Sequence, residues 1–140
     1  MKVGMKMKRI CREQVIFEMN QTNRPVLTVE SGETVIFETH DCFSGEVQTS
    51  QDTVSGINFA KVNPATGPLF IHGAQVGDTL KVTINKIDIA KTGAVVTAPG
   101  LGLLAKGIEQ EETIISQITE ERTNYLGFSI TLTKMIGVIG

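Results

Sequence analysis

Several residue types that carry chemistry in proteins occur together in the stretch FETHDCFSGEV, residues 37–47. His40 and Asp41 are candidate metal ligands and candidate general bases, because imidazole and carboxylate groups serve both purposes. Cys42 is a candidate nucleophile, provided that a base and a stabilised oxyanion lie nearby. The same residues are also typical of a turn in which Asp41 or Ser44 bonds backbone amides and Cys42 packs as a small hydrophobic residue. The spacing leaves a reactive loop and a structural turn open as alternatives.

A second polar loop, NPATGP at residues 63–68, contains two prolines that fix its backbone. Asn63 and Thr66 can bind a carboxamide substrate, and they can equally bond their own loop. Because both loops follow strand-like runs, we expect His40, Asp41 and Cys42 to lie at a strand end. There they would line a concave site together with the 63–68 loop.

Short strand-like segments position these loops and account for most of the chain. They are rich in Val, Ile, Phe and Thr and alternate between apolar and polar residues, as half-buried strands do. They cover residues 14–19, 25–30, 33–40, 68–73, 78–90, 93–100 and 128–140. The sequence therefore predicts an all-β domain, a sandwich or barrel-like arrangement of short strands with at most one helix.

Residues 109–124 are compatible with two kinds of element. Ile114, Ile115 and Ile118 would share one face of a helix, and the acidic start of the segment suits a helix N-terminus. The same residues can form a strand, TIISQI, followed by a polar hairpin. Both readings stay open, since no Pro or Gly interrupts the segment.

Composition limits the function classes. A chain of 140 residues, with 41% hydrophobic and 20% charged residues, fits a single domain over residues 1–140. A net charge of −2 without a basic stripe argues against nucleic acid as a partner, and no apolar run is long enough to span a membrane. Cys11 and Cys42 predict reduced thiols and a cytoplasmic location, because two cysteines form no disulfide framework and no secretory signal is visible.

The Asp-Cys loop is followed by four motifs in a definite order: VNPATGP, GDTLKV, APGLGLL and MIGVIG. Each motif alone is a weak signal, but their combination in this order is specific. From about Arg12 onward, nearly the whole chain resembles the N-terminal part of acetamidase/formamidase family hydrolases. The resemblance implies an all-β build, self-association, and hydrolysis of short-chain amides such as formamide and acetamide to ammonia and a carboxylic acid.

The resemblance also implies roles for individual residues. Asp41, Cys42, Asn63 and Thr66 match loop positions of the family, whereas His40 precedes the loop at a position that the family does not fix. A divalent metal ion, zinc or calcium, held by Asp41 and His40 would polarise the amide carbonyl and lower the pKa of a bound water. Asn63 and Thr66 would orient the carboxamide. A rival mechanism keeps the amidase reaction and uses Cys42 as the nucleophile.

Family members are considerably longer, and their later part carries a loop that would be expected to complete a metal site. This chain ends at MIGVIG, with Lys134 where the family usually has Pro. We therefore expect a fragment, a truncation product or a short family member, with weak or absent amidase activity by itself. The alternative is a non-catalytic β-domain that acts in assembly.

The segment SITLTKMIGVIG, residues 129–140, alternates at first and then becomes apolar on both faces. Such a strand is normally buried on both sides. We therefore expect it to pair within the domain or to be covered by another copy of the chain. The expected partners are a small amide, further copies in a homodimer or larger assembly, and a separate C-terminal half.

Overall fold

The computed structural model describes residues 7–103, 105–119 and 121–139, which divide into two compact units. The first unit contains the described residues of Met1–Ser44, Ala60–Thr83 and Gly137–Gly140, and the second contains those of Gly45–Phe59 and Ile84–Ile136. The single domain predicted over residues 1–140 stays a prediction, because compactness alone does not show whether either unit folds independently.

The described part of the first unit contains six short strands that pair two by two. Strand β1 (Lys8–Ile10) runs parallel to β4 (Val35–Phe37), and β3 (Leu27–Val29) runs parallel to β6 (Leu69–Ile71). Strand β2 (Val15–Ile16) pairs antiparallel with β5 (Ala65–Thr66). Ile10 in β1 and Val29 in β3 are buried, so the alternating apolar residues of these strands form the core of the unit.

The second unit contains a four-stranded antiparallel sheet in the order β7-β8-β9-β10. Its strands are β7 (Thr92–Thr97), β8 (Glu112–Thr119), β9 (Arg122–Tyr125) and β10 (Phe128–Thr131). The longest ladder joins β7 to β8 over six residue pairs, from Thr92↔Gln117 to Thr97↔Glu112. The buried residues of the unit include Val47, Val54, Ile57, Ala98 and Thr113.

The all-β class predicted from the sequence is confirmed. Helical structure in the described part of the chain is limited to single 3₁₀ turns, at Val54–Gly56, Phe59–Lys61 and Ala105–Gly107. The strand alternative holds for residues 109–124, which form β8 and β9. In β8, Ile114 and Ile118 lie on one face of the strand and Ile115 on the other, and β8 has hydrogen-bonding neighbours on both sides. No helix among the described residues is long and apolar enough to cross a membrane.

Two segments predicted to be strands differ from the prediction. Residues 78–90 form no strand, and the 128–140 segment forms a strand only as far as Thr131 within its described part. Alternation describes one face of a chain, whereas a strand also needs a neighbour that accepts and donates its backbone hydrogen bonds. The described residues provide no such ladder for 78–90, and the side chains of Leu80, Val82 and Ile84 are more than half exposed.

Candidate functional site

The first candidate loop begins where β4 ends, in the first unit. The amide of Glu38 donates to the Ile10 carbonyl at 3.0 Å, which extends the contact between β1 and β4 by one residue. The Glu38 carboxylate also forms an ion pair with Arg9. His40 is half-buried, whereas Asp41 and Cys42 are exposed. The strand end therefore displays His40, Asp41 and Cys42 from a base that is fixed by pairing.

Asp41 closes a tight turn with its own side chain. Its Oδ1 accepts a hydrogen bond from the Phe43 amide at 2.9 Å, and its carbonyl accepts one from the Ser44 amide at 3.1 Å. Ser44 adopts left-handed backbone with φ of 55° and is followed by Gly45 with φ of 77°. This geometry is an Asx-turn, in which aspartate stabilises a reversal of the chain. The turn alternative thus explains one carboxylate oxygen of Asp41, which accepts the Phe43 amide. The turn is compatible with a catalytic role of Asp41 and with a purely structural one.

The second candidate loop is joined to the first by hydrogen bonds. The Asn63 amide donates to the Cys42 carbonyl at 2.8 Å, and the Ser44 hydroxyl donates to the Lys61 carbonyl at 2.5 Å. Asn63 has φ of 57°, a conformation that asparagine tolerates better than most residues. The two loops are therefore joined in one region of the first unit, and the predicted concave site stays a prediction.

Thr66 joins the same region from β5. Its partly buried hydroxyl donates to the Glu38 carbonyl at 2.9 Å, while its backbone pairs with Val15 of β2. The donor capacity of this hydroxyl is used by the protein, and only its oxygen lone pairs are left for a ligand. Thr66 would therefore receive a hydrogen bond from an amide nitrogen rather than donate one to a carbonyl.

The thiol of Cys42 is poorly suited to be a nucleophile. Desolvation of the sulfur raises the pKa of Cys42 above its ordinary value, and the charge of the neighbouring Asp41 raises it further. Cysteine nucleophiles need the opposite shift, because the thiolate is the reactive form. Cys42 and Cys11 are both free thiols.

The described residues do not form a metal site by themselves. No group of three or more His, Cys, Asp or Glu side chains lies close enough together, within the part of the chain that the structure describes, to hold an ion. His40 and Asp41 supply an imidazole and a carboxylate, which is half of the four-ligand set typical of zinc. A complete site would require ligands from elsewhere.

Three contributors to the region were missed by reasoning from the sequence. Arg9 forms an ion pair with the Glu38 carboxylate. The backbone carbonyl of Lys61 accepts a hydrogen bond from the Ser44 hydroxyl, and that of Glu38 accepts one from the Thr66 hydroxyl. Lys61 and Glu38 contribute backbone carbonyls, which carry no sequence signal. Arg9 lies 29 residues from Glu38, so only the parallel pairing of β1 with β4 brings them together.

Comparison with known proteins identifies relatives. A family model described as Acetamidase/Formamidase family matches residues 13–140. No match was found among curated proteins. Among solved structures, an acetamidase from Bacillus halodurans is 38% identical with a TM-score of 0.85, and the match covers 89% of this chain and 42% of that one.

Two further structures extend this comparison. A recombinant predicted acetamidase/formamidase from the thermophile Thermoanaerobacter tengcongensis is 35% identical with a TM-score of 0.83. The match covers 89% of this chain and 42% of that one. An acetamidase from Yersinia enterocolitica shares the fold, with 22% identity and a TM-score of 0.67. This match covers 91% of this chain and 44% of that one. The chain thus spans 42% of the length of the first two relatives. The resemblance read from the motifs is confirmed.

Proposed function

The chain belongs to the acetamidase/formamidase family, and from this membership we propose that it forms part of a hydrolase of short-chain amides, with formamide and acetamide as substrates. The observation that carries the proposal is the family match over residues 13–140, which includes both polar loops. The products would be ammonia and a carboxylate. The reduced thiols Cys11 and Cys42 are in keeping with action in the cytoplasm.

In the proposed mechanism, Asp41 is the residue that acts on the reacting water. One of its oxygens accepts the Phe43 amide, so the carboxylate is held in a fixed orientation at the strand end. Asn63 and Thr66 would position the carboxamide, with the Thr66 oxygen accepting a hydrogen bond from the amide nitrogen. Since Thr66 already donates to the Glu38 carbonyl, its lone pairs point away from that bond.

A divalent metal ion, zinc or calcium, fits this proposal only in part. His40 and Asp41 would supply two ligands. The described residues contain no cluster of three ligating groups, so the other ligands would come from elsewhere. When bound, such an ion would polarise the amide carbonyl and acidify a water molecule. The residues of this chain would hold the ion and orient the substrate beside it.

The second candidate function is a non-catalytic β-domain that acts in assembly. It is favoured by the exposed apolar side chains of residues 78–90. Its partners would be further copies of the chain or a separate polypeptide that corresponds to the rest of the solved relatives. A partner that supplied missing ligands would make the two candidate functions compatible.

Ammonia release from formamide and acetamide tests the proposal. We expect weak release by the purified chain and its loss in Asp41→Asn, because the amide keeps the Oδ1 acceptor for Phe43 and removes the negative charge. Asp88→Asn is the matched control, since Asp88 is an exposed aspartate of the second unit that forms an ion pair with the exposed Lys86. Release that is undiminished in Asp41→Asn would contradict the role of Asp41, and complete absence of release would favour the non-catalytic domain.

A further inference from the structure

An apolar pocket lies on one face of the β7–β10 sheet in the second unit. Strand register places the side chains of Ser116 and Ile118 on the same side, and Gly93 lies directly opposite Ser116, because residues two apart share a face and antiparallel partners face the same way. The same rule brings Thr123 and Ile130 to that side from β9 and β10. The pocket that they line has a volume of about 490 Å³, a size typical of sites for small organic molecules.

One polar group in this pocket has no partner. Ser116 is only 7% exposed, and its hydroxyl makes no hydrogen bond to any described residue. The hydroxyl of Thr123 differs, because it donates to the Gln117 carbonyl at 2.9 Å. A buried hydroxyl without a partner is unfavourable, and in folded proteins such groups are normally satisfied. The unpaired hydroxyl of Ser116 therefore marks a point where a bound molecule would gain a hydrogen bond.

The residue opposite Ser116 leaves room for such a molecule. Gly93 is the cross-strand partner of Ser116, and a glycine inside a strand often marks a position where a ligand approaches the backbone closely. A methyl group added to Gly93 would meet nothing nearer than the Ile118 side chain at 3.6 Å, so packing does not require the glycine. Its backbone conformation does not require glycine either, because Gly93 is not one of the glycines with a positive φ.

We propose that this pocket binds a small uncharged organic molecule with an apolar body and one hydroxyl or amide group that bonds to Ser116. Among the described residues, the lining contains aliphatic side chains and three hydroxyl-bearing residues, Ser116, Thr123 and Tyr125, and no carboxylate, ammonium or guanidinium group. A charged ligand would be buried here without a counter-charge, which is unfavourable. The proposal concerns the second unit and does not depend on amide hydrolysis by the first.

Phenol and toluene test the proposal, because they match in shape and differ in a hydroxyl group. Each is titrated into ¹⁵N-labelled chain, and the dissociation constant is taken from amide shifts of β7–β10. We expect both to bind, and Ser116→Ala to weaken phenol about fivefold, equivalent to one neutral hydrogen bond, while leaving toluene unchanged. Ser50→Ala, an exposed serine of the same unit, is the matched control and should change neither.

A second variant tests the space opposite Ser116. Gly93→Val suits a strand and adds a branched side chain to the pocket lining opposite Ser116, so it should weaken both probes at least tenfold (about 1.4 kcal/mol). If Gly93→Val does not fold, the comparison of phenol with toluene in Ser116→Ala still decides the question. Equal phenol affinity in the wild-type chain and Ser116→Ala, or no binding of either probe, would overturn the proposal. Shifts of this face with protein concentration alone would also overturn it and would assign the face to a second copy.

Discussion

Single aspartates of this chain stabilise turns by accepting backbone amides. Asp41 does so in the candidate site, and Asp52 does so in the second unit, where its Oδ2 accepts the amides of Gln48 and Thr49 at 2.9 and 2.7 Å. These bonds lower the pKa of Asp52 below its ordinary value, with the Gln48 amide as the largest cause. The same residue type in the same kind of turn therefore does not by itself indicate catalysis.

The lowered pKa of Asp52 predicts how stability changes with pH. Its ionised form stabilises the folded chain above the unfolded-state pKa, near 3.8, and this contribution is lost as pH falls through the lower folded-state value. Asp52→Asn should therefore reduce the thermal unfolding temperature slightly at pH 7 and have little effect near pH 2. Circular dichroism melts over this range measure the difference. Asp78→Asn is the control, because it affects one hydrogen bond, the bond from the Gln75 amide to the Asp78 carboxylate. An equal decrease at both pH values would contradict the prediction.

The raised pKa of Cys42 predicts slow alkylation. Because little thiolate is present at neutral pH, iodoacetamide should modify Cys42 slowly at pH 7 and faster as pH rises past the ordinary thiol range. Mass spectrometry of timed samples gives the rate. In the amide assay, Cys42→Ala should retain whatever ammonia release the chain shows. Rapid alkylation at pH 7, together with loss of release in Cys42→Ala, would restore the nucleophile mechanism.

At the scale of elements, the β9–β10 hairpin has an unusual turn sequence. Its two-residue turn places both Leu126 and Gly127 at positive φ, 49° and 85°, as a type I′ turn requires. The Asn124 side chain accepts the Gly127 amide at 3.0 Å, which helps to hold this geometry. Leucine is a poor residue for left-handed backbone, and the sequence near Leu126 did not indicate the turn type.

A substitution in this turn should stabilise the hairpin. Leu126→Asn supplies the residue that type I′ turns prefer and loses little burial, since Leu126 is exposed. We expect a gain of about 0.5–1 kcal/mol in the free energy of unfolding, measured by urea denaturation. Gly127→Ala, which strains a left-handed position without any clash, should be destabilising. A loss of stability in Leu126→Asn would show that Leu126 makes a contact more important than its backbone conformation.

At the scale of the whole molecule, apolar side chains remain exposed in segments that do not pair. They include Leu80 and Val82 in the first unit and Met135 in the second, the last with 75% of its surface exposed. Exposed apolar residues on unpaired, strand-like segments favour association with another chain. Substitution of these exposed apolar residues can therefore test the predicted self-association.

Light scattering of the purified chain should show a homodimer or a larger assembly at micromolar concentration. Met135→Lys should shift the population towards the monomer, because a charge would be buried in any contact that covers this residue. Met19→Lys is the matched control, as Met19 is an exposed methionine of the first unit outside the terminal segment. A monomer in the wild-type chain, or an equal effect of both variants, would contradict the prediction.

Local signals were enough to predict the class of structure and the family. The strand-forming residues at 93–100 and the turn residues around Asp41 are properties of neighbouring residues, and β7 and the Asx-turn agree with them. For residues 109–124 the sequence left a helix and a strand open. The order of the four motifs identified the family, which the match over residues 13–140 confirms. Neighbouring residues also indicated that His40, Asp41 and Cys42 follow a strand.

Which segments pair was decided only by tertiary structure. Residues 78–90 alternate clearly, whereas residues 109–124 were compatible with a helix or a strand. Of these two segments, only the second has neighbouring strands among the described residues, because a ladder depends on what another segment presents. For the same reason the bond from the Asn63 amide to the Cys42 carbonyl, and the position of Gly93 opposite Ser116, could not be read from the sequence. These contacts join residues distant along the chain, and backbone atoms and register, which residue types do not encode locally, determine them.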